Sequence, residues 1–312
     1  MNEILNRIDS ASHIVVISHI NPDADSISSA SAMYTYLLQK HKKVSWYCQT
    51  KNIDKKLSFL PWFEKIRDSF PSSADLAISL DCADIKRLGV EPECDLINID
   101  HHESNDNFAK FNLVEPKAIS TTEVLYNFFK ENSIKINKKM ATAMYAGILD
   151  DSNAFMDEKV DGTTFATVRE LIEHGAEFQV CNKNIIKSMS LAALRLKGIM
   201  FTNMTLEFDA RVAVFCVNDE EMRATGAQGA DCELALEESM YLPQVQISLL
   251  LRENSDFTIK GSIRSKTKVD ASKIVSNFGG GGHTARAGFD INDDISLENI
   301  KEKVLNLIKK EI

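Results

Sequence analysis

The chain has 312 residues, 44% of them hydrophobic and 26% charged, and its 36 basic against 45 acidic side chains give a formal net charge of −9. This balance is ordinary for a folded globular protein of roughly two domains, and it excludes a broad basic face for long duplex nucleic acid, because phosphate contacts supply most of that affinity. A short nucleotide held at one basic patch stays open.

The opening MNEILNRIDSASHIVVISHI carries acids and polar residues before its only apolar run, unlike a secretory signal. No apolar stretch approaches the roughly 18 residues that would suggest a membrane span. The six cysteines, Cys48, Cys82, Cys94, Cys181, Cys216 and Cys232, are scattered without paired spacing, so free thiols in a reducing cytoplasm are expected rather than disulfides or a zinc site.

Ile14-Val15-Val16-Ile17 reads as a buried parallel strand, followed by SHINPDADS at 18–26 and a helical stretch from Ser26 to Gln39. His19, Asp23 and Asp25 therefore sit on a strand-to-helix turn, the kind of place where open α/β sheets bind ligands. Asp23 and Asp25 repel each other unless a cation, a proton or bulk water takes up the charge, and a metal does so most strongly. Further strands are expected at 44–48, 76–80 and 96–99, the last two ending on Asp81 and Asp100.

Alternation of strand-like and helical stretches over residues 1–160 favours a mostly parallel sheet with helices on both faces. Ser120-x-x-Glu123 has capping-box spacing ahead of Val124, Leu125, Phe128 and Phe129. A second helix, Lys138 to Leu149, runs into Asp150-Asp151, and a third, Thr163 to His174, closes at Gly175. Residues 181–200 read as one helix, after which strand-like runs alternate with two helices before a terminal one near 296–311. The expected organisation is a first domain over 1–185, a connector helix over 186–202 and a smaller α/β domain over 203–312.

His19, Asp23, Asp25, Asp81, Asp100, His101, His102 and Asp151 all fall at expected strand or helix ends. Oxygen and imidazole donors without thiolate suit Mn²⁺, Mg²⁺ or Fe²⁺ better than structural Zn²⁺. The set is too large for one ion that keeps an open position, whereas two ions sharing a carboxylate fit it. Such a pair, roughly 3.5–4 Å apart, activates water and clamps both oxygens of an in-line displacement at phosphorus, which makes phosphate-ester hydrolysis the expected reaction class. Duller readings exist for each piece: Asp-x-Asp as an Asx turn or helix cap, His-His as a polar loop, and Asp81 as the cap of a helix beginning near Ile85.

In the second half, Lys260, Arg264, Lys266, Lys268 and Lys273 stand against Asp270 alone between positions 258 and 275. Phe278-Gly279-Gly280-Gly281-Gly282-His283 follows, where backbone amides could approach an anion closely and a helix-like segment after them would add its dipole. A flexible loop is the alternative reading of the glycines.

Taken together these motifs resemble the DHH phosphoesterases, named for the triplet seen here as Asp100-His101-His102. The resemblance covers essentially the whole chain: HINPDADS, Asp81 in SLDCAD, NIDHH, GILDDS at 147–152, and GSIRSK with GGGGH of the DHH-associated C-terminal domain. It implies one Mn²⁺ on His19, Asp23 and Asp81 and another on Asp25, Asp81, His101 and Asp151, with His102 facing the scissile phosphate and Asp100 orienting a neighbouring histidine. It also implies substrate contacts from Ser262, Arg264, Lys266, Gly280, Gly281, Gly282, His283 and Arg286.

Within the family the chain is most similar to the short nanoRNase group, which implies a cytoplasmic Mn-dependent hydrolase of very short oligonucleotides and of 3′-phosphoadenosine 5′-phosphate. No membrane partner is expected, and a homodimer is left open. Signalling dinucleotides, linear or cyclic di-adenylate, are the alternative substrates, and a nucleotide-binding regulator without turnover is the alternative of another class. Two departures from the family pattern stand out: Asp150 where Thr or Gly is common, and Arg286 where a small residue is usual.

Overall fold

Ile14, Val15, Val16 and Ile17 are buried without exception, as are Leu76 to Leu80, which is what strands covered on both faces require. In the computed structural model, which describes residues 2–266, 269–292 and 295–312, these runs form the centre of the first of two compact units, one ending at Ser188 and the other beginning at Met189. Lys268, counted above in the basic stretch, lies outside the described residues.

The first unit runs α1 (Asn2–Ser10), β1 (His13–Ser18), α2 (Ala24–Gln39), β2 (Lys43–Tyr47), β3 (Ile66–Arg67), β4 (Leu76–Leu80), β5 (Asp95–Asp100), β6 (Phe111–Val114), α3 (Thr121–Glu131), α4 (Lys138–Asp151), α5 (Gly162–Glu173) and α6 (Phe178–Ile185). Its six strands are ordered β3-β2-β1-β4-β5-β6 and all pair in parallel. The chain winds outward from β1 in one direction and from β4 in the other, so the topological switch point lies between these two strands. Loops leaving their carboxyl ends diverge there and leave a crevice. On one face Val16, Ile78 and Ile97 pack with Met33 of α2, Leu125 of α3 and Met144 of α4. On the other, Val15, Ile17 and Ala77 pack with Leu88 of a short 3₁₀ turn and with Phe70, Val90 and Phe108.

The second unit runs α7 (Leu191–Asn203), β7 (Thr205–Glu207), β8 (Val212–Val217), α8 (Asp219–Thr225), α9 (Asp231–Ser239), β9 (Ile247–Glu253), β10 (Ile259–Ser265), α10 (Ala271–Ser276), β11 (Gly281–Gly282), β12 (Arg286–Ile291) and α11 (Leu297–Ile308). Its mixed sheet is ordered β11-β12-β10-β9-β8-β7. Leu249, Ile263 and Phe289 pack with Ile274 and Val304 on one face, while Phe215 and Leu250 pack with Leu196, Cys232 and Leu236 on the other. Among the described residues no helix is long and apolar enough to cross a membrane.

Three expectations need correction. Residues 181–200 form two helices rather than one: α6 ends at Ile185, and the connector expected at 186–202 begins only at Leu191, where the Ser190 side chain accepts the Ala193 N–H. Ile186 and Met189 continue the apolar pattern across the break but are exposed, so nothing holds the intervening turn in a helix. The segment after the glycine run is a strand, with Ala287 and Phe289 buried alternately, so it offers the glycines no helix dipole. Three helices rather than two precede the terminal one, the third being the short α10.

The packing of α4 on α2 and α3 leaves no room at Gly147, where a Cβ would lie 2.2 Å from Asp25 Oδ1 and 2.5 Å from Thr122 Cγ2 and Oγ1. At Gly198, on the exposed face of α7, nothing lies within 4 Å of that position. Gly147→Ala should therefore destabilise by about 1–3 kcal/mol through overpacking, and Gly198→Ala should stabilise by about 0.5–1 kcal/mol through helix propensity. Urea unfolding of both variants checks the opposite signs.

Candidate metal centre

Each expected donor is delivered by the end of an element. Past β1 the chain is pinned by the Ile20 N–H donating to Arg87 O at 2.8 Å, which leaves His19 only 1% exposed. Asp23 is the N-cap of α2: its Oδ1 accepts the Ser26 N–H at 2.9 Å, so the duller reading holds for one oxygen while Oδ2 lies 3.7 Å from His19 Nε2. Asp25, in the first turn of α2, is fully buried. Asp81 leaves β4 in the left-handed region with φ 60, a conformation that costs a non-glycine residue about 1–2 kcal/mol. The 3₁₀ turn at Ile85–Leu88 is capped by Asp84, which frees Asp81 of the capping role considered for it.

His101 and His102 follow β5 directly, and Asp151 is the last residue of α4. Beyond it Asn153, Ala154 and Phe155 take φ 47, 57 and 66 in succession, which stops the helix at the carboxylate.

These side chains converge. His19 Nε2 lies 3.4 Å from Asp81 Oδ2, while His101 Nε2 lies 3.6 Å and His102 Nδ1 3.7 Å from Asp81 Oδ1. His101 Nε2 is also 3.2 Å from Asp151 Oδ2. Three groups each have donor atoms within 4.8 Å of one another: His19, Asp23 and Asp81; Asp25, His101 and Asp151; and Asp81, His101 and His102. Asp81 thus turns one oxygen to each of two histidine-containing sets.

The surroundings fix these donors in place. The Nδ1 edges of His19 and His101 face the carbonyls of Ile20 at 2.9 Å and Ala118 at 3.3 Å, leaving each Nε2 toward the carboxylates. At the N-terminus of α3, Thr121 N–H donates to Asp25 Oδ2 at 2.7 Å, the Thr122 hydroxyl donates to Asp25 Oδ1 at 2.8 Å, and the Thr121 hydroxyl donates to Asp81 Oδ1 at 2.9 Å. His102 Nδ1 donates to Asp100 Oδ1 at 2.7 Å, and the Asn105 amide donates to the other Asp100 oxygen. Arg87 Nη2 lies 3.0 and 3.2 Å from the two ring nitrogens of His19. Sequence reasoning missed Thr121, Thr122, Asn105 and Arg87. A polar helix start at Ser120-Thr121-Thr122 was the one available signal.

The residues expected to touch substrate lie in the second unit and are engaged with their own neighbours. Arg264 pairs with Glu237 through Nε and with Glu233 through Nη2, both at 2.7 Å, and Ser262 Oγ donates to Glu233 at 3.0 Å. Arg286 pairs with Glu237 at 3.0 Å, and Lys266 donates to Leu242 O at 3.0 Å. The amides of Gly280 and His283 donate to Val275 O and Arg286 O, and Gly281 and Gly282 form β11 against Gly288 and Ala287.

Charge in the first unit's cluster is strained toward the positive. Burial, then the charges of Asp151 and Asp81, push the Asp25 carboxyl well above the usual range. Burial raises Asp151 to about 6 against the opposing hydrogen bond to His101, and raises Asp150 to about 7 with Asp23 adding to it. Burial pulls His19 down, but its bonds to Asp23 and Asp81 outweigh this and bring it to about 9. His101 likewise overcomes burial through Asp151 and the charge of Asp25 and reaches about 10. The raised carboxyls of Asp25, Asp150 and Asp151 and the raised imidazoles of His19 and His101 favour protons where a cation would relieve the same repulsion, and hard oxygen with nitrogen donors suits a divalent ion such as Mn²⁺ or Mg²⁺. The donor set fits such ions.

Residues 13–148 match the DHH family, N-terminal domain, and residues 209–310 match the DHHA1 domain. The chain is 26% identical over 314 residues to the bifunctional oligoribonuclease and PAP phosphatase NrnA of Thermus thermophilus, covering 99% of this chain and 93% of that protein. It is 25% identical over 327 residues to the cyclic-di-AMP phosphodiesterase GdpP of Bacillus subtilis, covering 96% of this chain and 48% of that one. The crystal structure of an exopolyphosphatase-related protein from Bacteroides fragilis shares the fold, with a TM-score of 0.89 at 23% identity over 99% of this chain and 95% of that chain.

With His19 at about 9 and His101 at about 10, both imidazoles are protonated at neutral pH in the metal-free protein, whereas ligation needs them neutral. Mn²⁺ loading at neutral pH should release at least two protons, one from each imidazole, with the raised Asp25 carboxyl adding to the count, and the apparent affinity should rise with pH until those values are passed. Calorimetric titration in two buffers of different ionisation enthalpy measures the proton count; a count of zero would contradict these pKa values.

Proposed function

Because the chain belongs to the DHH family, with a DHH domain followed by a DHHA1 domain, we propose that it is a phosphoesterase that hydrolyses very short oligonucleotides to mononucleotides and 3′-phosphoadenosine 5′-phosphate to AMP. The observation that carries this reading is the Asp81 carboxylate, one oxygen facing His19 and the other facing His101 and His102. His19, Asp23 and Asp81 would hold one divalent ion, and Asp25, Asp81, His101 and Asp151 a second, Mn²⁺ being the first choice. When bound, such ions supply Lewis acidity at phosphoryl oxygens and lower the pKa of water. The relation to an oligoribonuclease and PAP phosphatase over 93% of its length supports the substrate class.

The chain's own residues have separate tasks. Asp100 fixes His102 by accepting its Nδ1–H, and that hydrogen bond raises the imidazole's pKa. His102 is thereby kept as a donor whose Nε2–H can stabilise negative charge building on a phosphoryl oxygen. Thr121 joins the two halves of the site, giving its N–H to Asp25 and its hydroxyl to Asp81, so the two carboxylates keep a fixed spacing. Asp150, with its carboxyl raised to about 7, adds proton-holding capacity beside Asp151.

In the C-terminal unit, Gly280, Gly281, Gly282, His283 and Arg286 are proposed to contact the substrate, with Ser262, Arg264 and Lys266 supporting them. A cytoplasmic location and a homodimer complete the proposal. The likeness to a cyclic-di-AMP phosphodiesterase across 96% of the chain favours signalling dinucleotides as the second reading.

The test is a rate panel with Mn²⁺ on di- to pentanucleotides, 3′-phosphoadenosine 5′-phosphate, cyclic di-adenylate and pyrophosphate. Dinucleotides and 3′-phosphoadenosine 5′-phosphate should be turned over fastest, Asp81→Ala should abolish turnover, and His102→Ala should lower kcat by about 10²–10³-fold. Consumption of pyrophosphate alone, or dinucleotide binding without turnover, would overturn the reading.

A further inference from the structure

Arg87 stands on the 3₁₀ turn at Ile85–Leu88, and that turn is pinned at both ends. Asp84 Oδ1 accepts the N–H groups of Lys86 at 2.8 Å and of Arg87 at 3.3 Å, Leu88 is fully buried, and Gly89 closes the turn with φ 69. Arg87 O in turn accepts the Ile20 N–H at 2.8 Å. The side chain therefore grows from a fixed point beside the loop that carries His19.

The half-buried guanidinium itself has no proper acceptor. Nη2 lies 3.0 and 3.2 Å from the two ring nitrogens of His19, but Nδ1 is turned to Ile20 O, and Nε2 faces Asp23 and Asp81. A donor nearly equidistant from both nitrogens lies off the in-plane direction of each, so this contact uses none of the five guanidinium donors well. Asp23 is near enough to feel the charge, yet its Oδ1 caps α2. Among the described residues no carboxylate pairs with Arg87 and no carbonyl accepts from its side chain. A fixed positive charge beside His19 also repels a divalent ion held there, so metal binding does not account for it.

We propose that Arg87 is a substrate-binding residue whose guanidinium takes a non-bridging oxygen of the scissile phosphate at the His19 end of the centre. The inference rests on the hydrolytic reading of the Asp81 cluster and adds a second donor to it. His102 stands on the side of Asp81 Oδ1, and Arg87 on the side of Oδ2, where His19 lies. The four carboxylates of the expected ligand set, Asp23, Asp25, Asp81 and Asp151, formally balance two divalent ions, which leaves the negative charge of a phosphodiester to Arg87 and His102. An arginine fork meets a phosphoryl group with two N–H donors, and it keeps its charge whatever the pH.

The test compares Arg87→Gln and Arg87→Lys with the wild type in the full-length protein. Calorimetry should show Arg87→Gln binding Mn²⁺ at least as tightly as the wild type, because a repelling charge has gone. Inorganic phosphate, titrated into the Mn²⁺-saturated protein, should bind at least about fivefold more weakly to Arg87→Gln. For a dinucleotide, kcat/KM should fall by about 10²-fold in Arg87→Gln and by about tenfold or less in Arg87→Lys, which keeps the charge but not the fork. A Mn²⁺ affinity lowered about tenfold or more, with turnover restored by added Mn²⁺, would overturn the proposal by making Arg87 a support of the metal ligands. So would a folded Arg87→Gln that matches the wild type within about twofold in both phosphate binding and turnover, or a wild type that binds no phosphate. Wild-type turnover decides the hydrolytic reading separately: if the wild type binds phosphate but hydrolyses nothing, that reading fails, while the phosphate comparison still decides whether Arg87 grips a phosphoryl group.

Discussion

Electrostatic repulsion among buried carboxylates is the constraint around which the first unit is built. Asp25 and Asp81 are almost wholly withdrawn from water and Asp151 is partly so, and burying ionised carboxylates this close together is unfavourable without compensating charge. The fold meets this by bringing three histidines to the same place and by spending the N-terminus of α3 on Asp25 and Asp81. The doubly wound strand order puts the ends of β1 and β4 side by side at the switch point, so His19 and Asp81 meet although they are far apart in sequence. Asp81 holds a left-handed backbone at that point, and backbone strain of this kind persists only where the surroundings over-determine it.

Much of this was legible because each contributing strand ends on a charged residue. LAISL runs into Asp81 and LINI into Asp100-His101-His102, so a reading that found the strands also found the donors. The acidic turn at Asp23 and Asp25 needed no tertiary information to be recognised as costly. What escaped depends on contacts between distant segments. Thr121 serves Asp25 and Asp81 from 96 and 40 residues away, and nothing in Ser-Thr-Thr beyond a helix start announces it. Arg87 reaches His19 across 68 residues. The strands Ile66–Arg67 and Phe111–Val114 were missed because they are two and four residues long, too short for a period to emerge.

The second unit teaches a complementary point about cations. Its basic stretch is visible in the sequence, but which of its members are free is decided by α9, whose Glu233 and Glu237 take Arg264 from 31 and 27 residues away. Glu237 takes Arg286 as well. The arginine that local pattern singles out is therefore already neutralised. Strand register, rather than proximity in sequence, sets Lys260 between Arg252 on one neighbouring strand and Asp290 on the other.

The most direct measurement of the central claim, that one carboxylate serves two divalent ions, is electron paramagnetic resonance of the protein loaded with two equivalents of Mn²⁺. A pair sharing Asp81, at the roughly 3.5–4 Å typical of two-metal sites, should give the broad spectrum of spin-coupled ions. A spectrum of isolated six-line signals from independent ions, unchanged by Asp81→Ala, would contradict it.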